Sequence, residues 1–450
     1  MSLIEWPKLV SIAKDVTITS FPRRVTAAGL SRGFVAMRHP NYRRYWFGQI
    51  GSLVGTWMQS VALPWLVLDL GGSPLQLGLV IAFLFGPSMV IAPLGGVLAD
   101  RLDRRRTLIV ANAVAMAQAS VLFVLAFTGV IEIWHVFALA LVAGTASAIE
   151  MPVRQSFVAE LVPREDLVNA IALNSTSFNL SRVVGPAVAG LTIAAFGVWA
   201  NFAINALSYV SVLVGLALVD PAGLHATPRP IAFPSIRSSL AEGLRYARST
   251  PTVLWPLVLL GGTAALAMNF QTLLPLFTRN ALGMDSGGYG AIYAAMGFGS
   301  LTGSLALAFT SHRRPLVGLI VGGGAAFLVL AFLLGFVRVP LLAFALVIGI
   351  GLASMLMVNT INVTIQNSVP DALRGRVMSL YVTVFAGSAP IGGLFAGAVA
   401  QGFGAPVALS LGAALGTGVL ALVAWKLRGV SARALDTTRS EPRRETLSAA

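Results

Sequence analysis

Arg182 lies near the middle of an apolar stretch at 168–196, where a guanidinium is costly. Inserting arginine at the centre of a membrane helix costs about 2.5–3.5 kcal/mol, so such a residue faces a bundle interior and finds a partner there. Three roles fit it: a tie between helices, a seat for an anionic group, or a cation tuning a nearby acid. Carboxyl groups that could take up and release a proton are few. Glu150 lies towards one end of an apolar stretch and Asp69 ends another. Burial raises a carboxyl pKa and brings proton exchange within reach of neutral pH. Glu150 ranks above Asp69 for that role, whereas Glu132 and Asp220 read as interface residues.

Uncharged polar residues form stripes. Gln49, Ser52, Thr56 and Gln59 are spaced 3, 4 and 3 apart, and Asn359, Asn362 and Gln366 are spaced 3 and 4 apart. Asn269 and Gln271 form a shorter group. Such spacing puts each stripe on one helix face. Each residue taken singly also reads as an interhelical hydrogen bond, worth about 0.6 kcal/mol on average. The first stripe as a whole reads as the wall of a wet cavity. No cysteine occurs, and His39, His135, His225 and His312 lack metal-ligand spacing. Gly297, Gly299 and Gly303 miss the dinucleotide fingerprint by one residue, and no Walker A sequence is present. No cofactor, metal site or enzymatic constellation is expected.

The elements that must position these groups are membrane helices. The 450 residues are 56% hydrophobic and 11% charged, whereas soluble domains carry about 25% charge. Apolar stretches long enough to cross about 30 Å of hydrocarbon centre near 44–69, 75–99, 107–128, 134–152, 168–196, 200–219, 252–277, 287–310, 316–336, 340–364, 376–402 and 406–427. Twelve spans in two sets of six predict an all-α integral membrane fold. The expected organisation is a segment 1–42, a bundle 43–219, a loop 220–250, a second bundle 251–427 and a tail 428–450.

Charge sets the orientation. With the N-terminus inside, 28 of the 31 Lys and Arg residues fall on the inner side, as the positive-inside rule requires. Both termini are therefore expected in the cytoplasm. The net charge of +14 then belongs to membrane orientation, and no nucleic-acid partner is expected. No signal peptide is read in the first 40 residues. Within the polar loop, 239–248 is expected to form a short surface helix.

The halves are copies. A shift of 207 places Val162-Pro163 on Val369-Pro370, Gly185 on Gly392, Gly190 on Gly397 and Phe196-Gly197 on Phe403-Gly404. A duplicated six-helix unit is the expected basis of two pseudo-symmetric bundles around a midplane site. Gly185, Pro186, Gly190, Gly392 and Gly397 are read as packing positions, since small residues let membrane helices approach closely.

Between the second and third spans the chain reads GGVLADRLDRRR from Gly95 to Arg106. Gly96, Asp100 and Arg101, followed by the basic cluster, resemble the loop signature of the major facilitator superfamily. Tyr42 to Trp46, Gly55 to Gln59, Glu150 to Gln155 and Arg374 to Ser379 resemble its bacterial enterobactin-exporter and macrolide-efflux branch, and the likeness runs from about residue 34 to 404.

The resemblance implies a loop (Gly96, Asp100, Arg101, Arg104) that locks the halves together, with Glu150 and Arg154 as its partners. It implies that the first, fourth, seventh and tenth spans line a cavity holding Gln49, Ser52, Thr56, Gln59, Asn269, Asn359 and Asn362, joined by Arg182. It implies export of a small organic molecule from a bacterial cytoplasm through the inner membrane, in exchange for protons bound at Glu150 or Asp69. A monomer is the family's default. Uptake by symport and a membrane sensor that does not transport are the alternatives.

Overall fold

A computed structural model describes residues 33–91, 102–225, 236–310 and 316–439. Its apolar segments are helical, the conformation that satisfies backbone polar groups within one segment in hydrocarbon. The first six spans are α1 (Pro40–Asp69), α2 (Pro74–Ile91), α3 (Arg104–Phe127), α4 (Ile133–Leu161), α5 (Leu167–Phe196) and α6 (Val198–Ala217). The connecting loop carries α7 (Ile236–Ser249). The seventh span is two segments, α8 (Pro251–Leu266) and α9 (Phe270–Asn280), followed by α10 (Ser286–Thr310), α11 (Leu316–Leu334) and α12 (Pro340–Ser368). Pro40, Pro74, Pro251 and Pro340 each open a helix, where the missing N–H leaves nothing unsatisfied.

A helical stretch Asp371–Arg439 closes the chain. Its apolar part, Leu373–Leu427, has 55 residues. At 1.5 Å per residue that is about 80 Å, far more than one crossing. Gly404, with φ +84° and ψ 161°, turns the chain back and divides the stretch into α13 (371–403) and α14 (405–439). Gly197, between α5 and α6, has φ +95° and ψ 168°. Gly197 and Gly404 are one of the glycine pairs that the 207-residue shift superimposes, so the repeat extends to a shared backbone conformation that favours glycine.

Two boundaries differ from the sequence reading. The fourth span does not end at Pro152: α4 continues to Leu161, burying Val153, Phe157, Val158 and Leu161. One proline removes one donor, and this buried face holds the extra turns in place. The seventh span is interrupted at 267–269, where the Thr263 carbonyl accepts both the Ala267 and the Met268 N–H.

The bundles meet along two lines, α2 against α13 and α5 against α10. Gly190 faces Gly290 in one, and Gly78 faces Gly393 in the other. A Cβ on Gly190 would stand 2.8 Å from Gly290 Cα, and one on Gly397 would stand 2.7 Å from the Pro74 carbonyl oxygen. Residues 40, 161, 217 and 368 share one face of the bundle, here called the terminal face; Asp69 and Arg279 lie at the far face. One apolar core runs through both halves, from Met58, Trp65 and Leu77 to Phe277, Tyr289 and Met357. A second, around Tyr42, Tyr45, Phe157 and Leu216, stays within the first half near the terminal face.

Candidate functional site

At mid-depth, four helices from both halves converge on Arg182. The residue is 15 positions into the 30-residue α5. Its guanidinium donates to Ser300 Oγ of α10 at 3.0 Å and to Met355 Sδ of α12 at 3.7 Å. Its Cζ lies 6.0 Å from the centroid of the Trp57 ring of α1, near the limit of cation–π attraction. Phe178, one turn earlier on α5, meets Trp57 edge-on at 5.6 Å. Ser300 itself donates to the Met296 carbonyl at 2.9 Å, which leaves its lone pairs for the arginine. Among the described residues no carboxylate lies within ion-pairing distance of Arg182. Gly297 and Gly185 keep the neighbouring backbones close, the first against the Arg182 carbonyl and the second against Trp57 and Val54; Pro186 is buried beside Gly290.

The first-span stripe divides. Gln59 accepts from Asn205 of α6 at 2.7 Å and donates to Gln118 of α3 at 3.2 Å, all three being buried. Its amide is thus committed between helices. Gln49 and Ser52 are also buried, and Gly48 beside them packs on the Ser211 backbone of α6. Thr56 is exposed and stands 3.4 Å from the Tyr209 hydroxyl. Helical spacing gave the common face; it did not say whether a neighbouring helix covers it.

In the second half, Asn269 is buried and packs against Gly392, where no side chain would fit. Asn359 of α12 donates to Ser304 of α10 at 3.0 Å, tying those two helices one turn beyond Arg182. Asn362 accepts from Gln366 at 2.6 Å on α12. Both asparagines are partly exposed.

Gly96, Asp100 and Arg101 lie outside the described residues. Arg104 bonds Glu160 at the end of α4, at 2.7 Å. Glu150 and Arg154 pair with each other along α4 at 3.5 Å, each side chain 17% exposed. Asp103 caps α3, accepting the Arg106 N–H at 2.9 Å; an Asp just before an arginine-rich helix start was the signal available for it. Arg105 donates to the Leu216 and Ala217 carbonyls at the end of α6. Asp69 pairs with Arg279 at 3.2 Å, a partner 210 residues away that no local pattern indicated. Besides these sites, an apolar groove of about 670 Å³ opens between α3 and α4. Its lining is apolar apart from Arg106, Thr107 and Thr145, which suits hydrocarbon better than a polar solute.

Two six-helix bundles, duplicated in sequence and meeting around a polar midplane site, define a secondary-transporter fold. The chain belongs to the transmembrane secretion effector family of the major facilitator superfamily, whose match covers residues 31–448. It is 28% identical over 373 residues to the multidrug efflux pump Tap of Mycolicibacterium fortuitum, covering 80% of this chain and 88% of that one. It is also 28% identical over 378 residues to the enterobactin exporter EntS of Escherichia coli O1:K1 / APEC, covering 81% and 89%. Among solved structures it resembles the nucleoside transporter NupG, with TM-score 0.66 and 13% identity over 86% of this chain and 99% of that one. It also resembles a bacterial homologue of the human lysosomal transporter Spinster, with TM-score 0.58 and 16% identity over 88% and 95%. The protein is a multi-pass membrane transporter and not an enzyme.

Proposed function

We propose that the protein exports a small amphipathic organic molecule by alternating access, loading it from the cytoplasm and exchanging it for protons. The observation that carries this reading is where the halves join. The described hydrogen bonds and ring stacks between them lie at mid-depth, through Arg182, or beyond it, through Asp69–Arg279, Leu75–Gln401 and Trp65–Tyr289. In this reading those contacts close Arg182 off from the far face. The terminal face is read as the cytoplasmic one, because the sequence segments assigned to the inner side carry 28 of the 31 Lys and Arg residues. A site walled from outside and loaded from the cytoplasm is the starting state of an exporter. Relatives named as a multidrug efflux pump and an enterobactin exporter support the direction.

The cycle needs the far-face contacts to part and the basic loops to close behind the substrate. Gly96, Asp100 and Arg101 supply that closure in this reading, and Glu150 carries the exchanged proton. Everted vesicles test it. With an imposed proton gradient, added substrate should accumulate in the lumen and discharge the gradient. Gradient-driven depletion from the lumen would instead establish uptake, and indifference to the gradient would remove proton exchange.

A further inference from the structure

Among the described residues, arginines in or at the ends of the spans meet carboxylates: Arg104 with Glu160, Arg106 with Asp103, Arg154 with Glu150, Arg279 with Asp69 and Arg376 with Glu242. Arg182, the deepest, meets a hydroxyl and a thioether. A guanidinium has five N–H donors in a planar fork that matches carboxylate geometry. Ser300 Oγ and Met355 Sδ engage one nitrogen each and neutralise no charge. If the arginine were only a strut between α5 and α10, a neutral amide would do as much for less. This protein uses that solution elsewhere, in the buried Gln59, Gln118 and Asn205 set. The surroundings fit a ligand: Arg182 is partly exposed, and Trp57 and Phe178 form an aromatic wall beside it.

We propose that Arg182 receives an anionic group of the transported molecule, whose class is an amphipathic organic anion: a carboxylate or sulfonate attached to an aromatic or apolar body. The inference rests on the transport reading above and names its substrate class. A carboxylate docking on the fork replaces two contacts to uncharged acceptors with a bidentate ion pair that also neutralises the guanidinium charge. The apolar body lies against Trp57 and Phe178. Because the guanidinium reaches from α5 into the other half, an anion that takes over its donors also loosens the Arg182–Ser300 bridge, linking occupancy to the separation of the halves.

The test is a binding measurement on the purified full-length protein in detergent, without any gradient. Its probes are matched pairs that differ only in charge: 2-naphthoate and 2-naphthamide, 2-anthroate and its amide, and 12-phenyldodecanoate and its amide. For at least one skeleton the acid should bind about tenfold more tightly than the amide, the scale of one charge-assisted bond. Arg182→Gln should reduce that ratio to about one, Arg182→Lys should keep part of it, and Ser300→Ala should leave it standing. Equal binding of acid and amide across all three skeletons overturns the proposal. So does an unchanged ratio in a folded Arg182→Gln protein, or a collapse in Ser300→Ala equal to that in Arg182→Gln, which marks a strut. Should the glutamine variant not fold, the wild-type ratio and the Lys and Ser300 variants decide. An acid preference without transport in vesicles sinks the export reading alone; transport without an acid preference sinks this proposal alone.

Discussion

Asp69 Oδ1 accepts a hydrogen bond from Arg279 at 3.2 Å, joining the last residue of α1 to α9 in the opposite half. The pair sits over a stacked layer. The Arg279 guanidinium lies 5.8 Å from the Trp65 ring, and Trp65 stacks on Tyr289 at 5.6 Å. Both ionic side chains are more than two-fifths exposed, so the pair alone is worth about 0–1 kcal/mol. Asp69→Asn should therefore raise the population open to the far face by up to about fivefold. Trp65→Ala, which removes the buried ring, should raise it further. The chain has no cysteine, so Thr272→Cys on buried α9 gives a probe without background. Its labelling by an impermeant maleimide should quicken by that factor in Asp69→Asn; an unchanged rate would falsify the role of the pair as a latch.

The glycine crossings should tolerate no side chain. A Cβ on Gly190 meets Gly290 Cα at 2.8 Å and the Ser286 carbonyl at 3.0 Å. Overpacking of this kind costs about 1–3 kcal/mol, and relief requires the halves to separate. Gly190→Leu and Gly397→Leu should thus abolish transport in vesicles while the protein still inserts. Gly318, where an added Cβ would meet nothing within 4 Å, is the control: Gly318→Ala should transport normally. Full activity in Gly190→Leu would show that α5 and α10 need not touch during the cycle.

Much of this was legible in the sequence, for reasons particular residues illustrate. Length revealed the spans because the thickness of the bilayer sets it. The 207-residue shift found Gly197 and Gly404 because a left-handed turn favours glycine in each copy. The composite seventh span was not legible, since its break depends on the Thr263 carbonyl accepting two N–H groups rather than on a breaker residue. Nor was the fate of Gln59. A stripe records which residues share a face, while Asn205 and Gln118, which cover that face, come from 146 and 59 positions away. Arg182 was legible as unusual because its cost is intrinsic; its partners Ser300 and Met355 were not, lying across the interface between the halves.

The Gln59 set gives a separate prediction. Its bonds tie α1 to α3 and α6 inside one half and commit both ends of the Gln59 amide to neighbouring helices. Gln59→Leu and Asn205→Leu should each lower thermal stability, on the scale of about 0.6–1.7 kcal/mol per membrane hydrogen bond. Substrate KM should stay within about twofold of wild type, since uniform binding is untouched. A selective rise in KM with unchanged melting would return Gln59 to the cavity.

Glu150 offers the sharpest test of proton exchange. It pairs with Arg154 one turn along α4 at 3.5 Å, and the Tyr45 hydroxyl, on α1, is buried without a hydrogen-bond partner. In the proposed exchange, a proton arriving on the carboxyl would neutralise it and release Arg154 to seek another acceptor, which would couple proton binding to helix arrangement. Glu150→Gln mimics the protonated state permanently. It should abolish export driven by a proton gradient yet preserve substrate counterflow, which needs alternating access without net proton movement. The lone Arg154 charge should also destabilise the protein, by less than the roughly 3–5 kcal/mol that breaking a fully buried pair costs. Glu150→Gln combined with Arg154→Gln should recover stability and leave coupling absent, separating the proton role from folding. Gradient-driven export at wild-type rates in Glu150→Gln would move the coupling carboxyl elsewhere, with Asp69 the next to test.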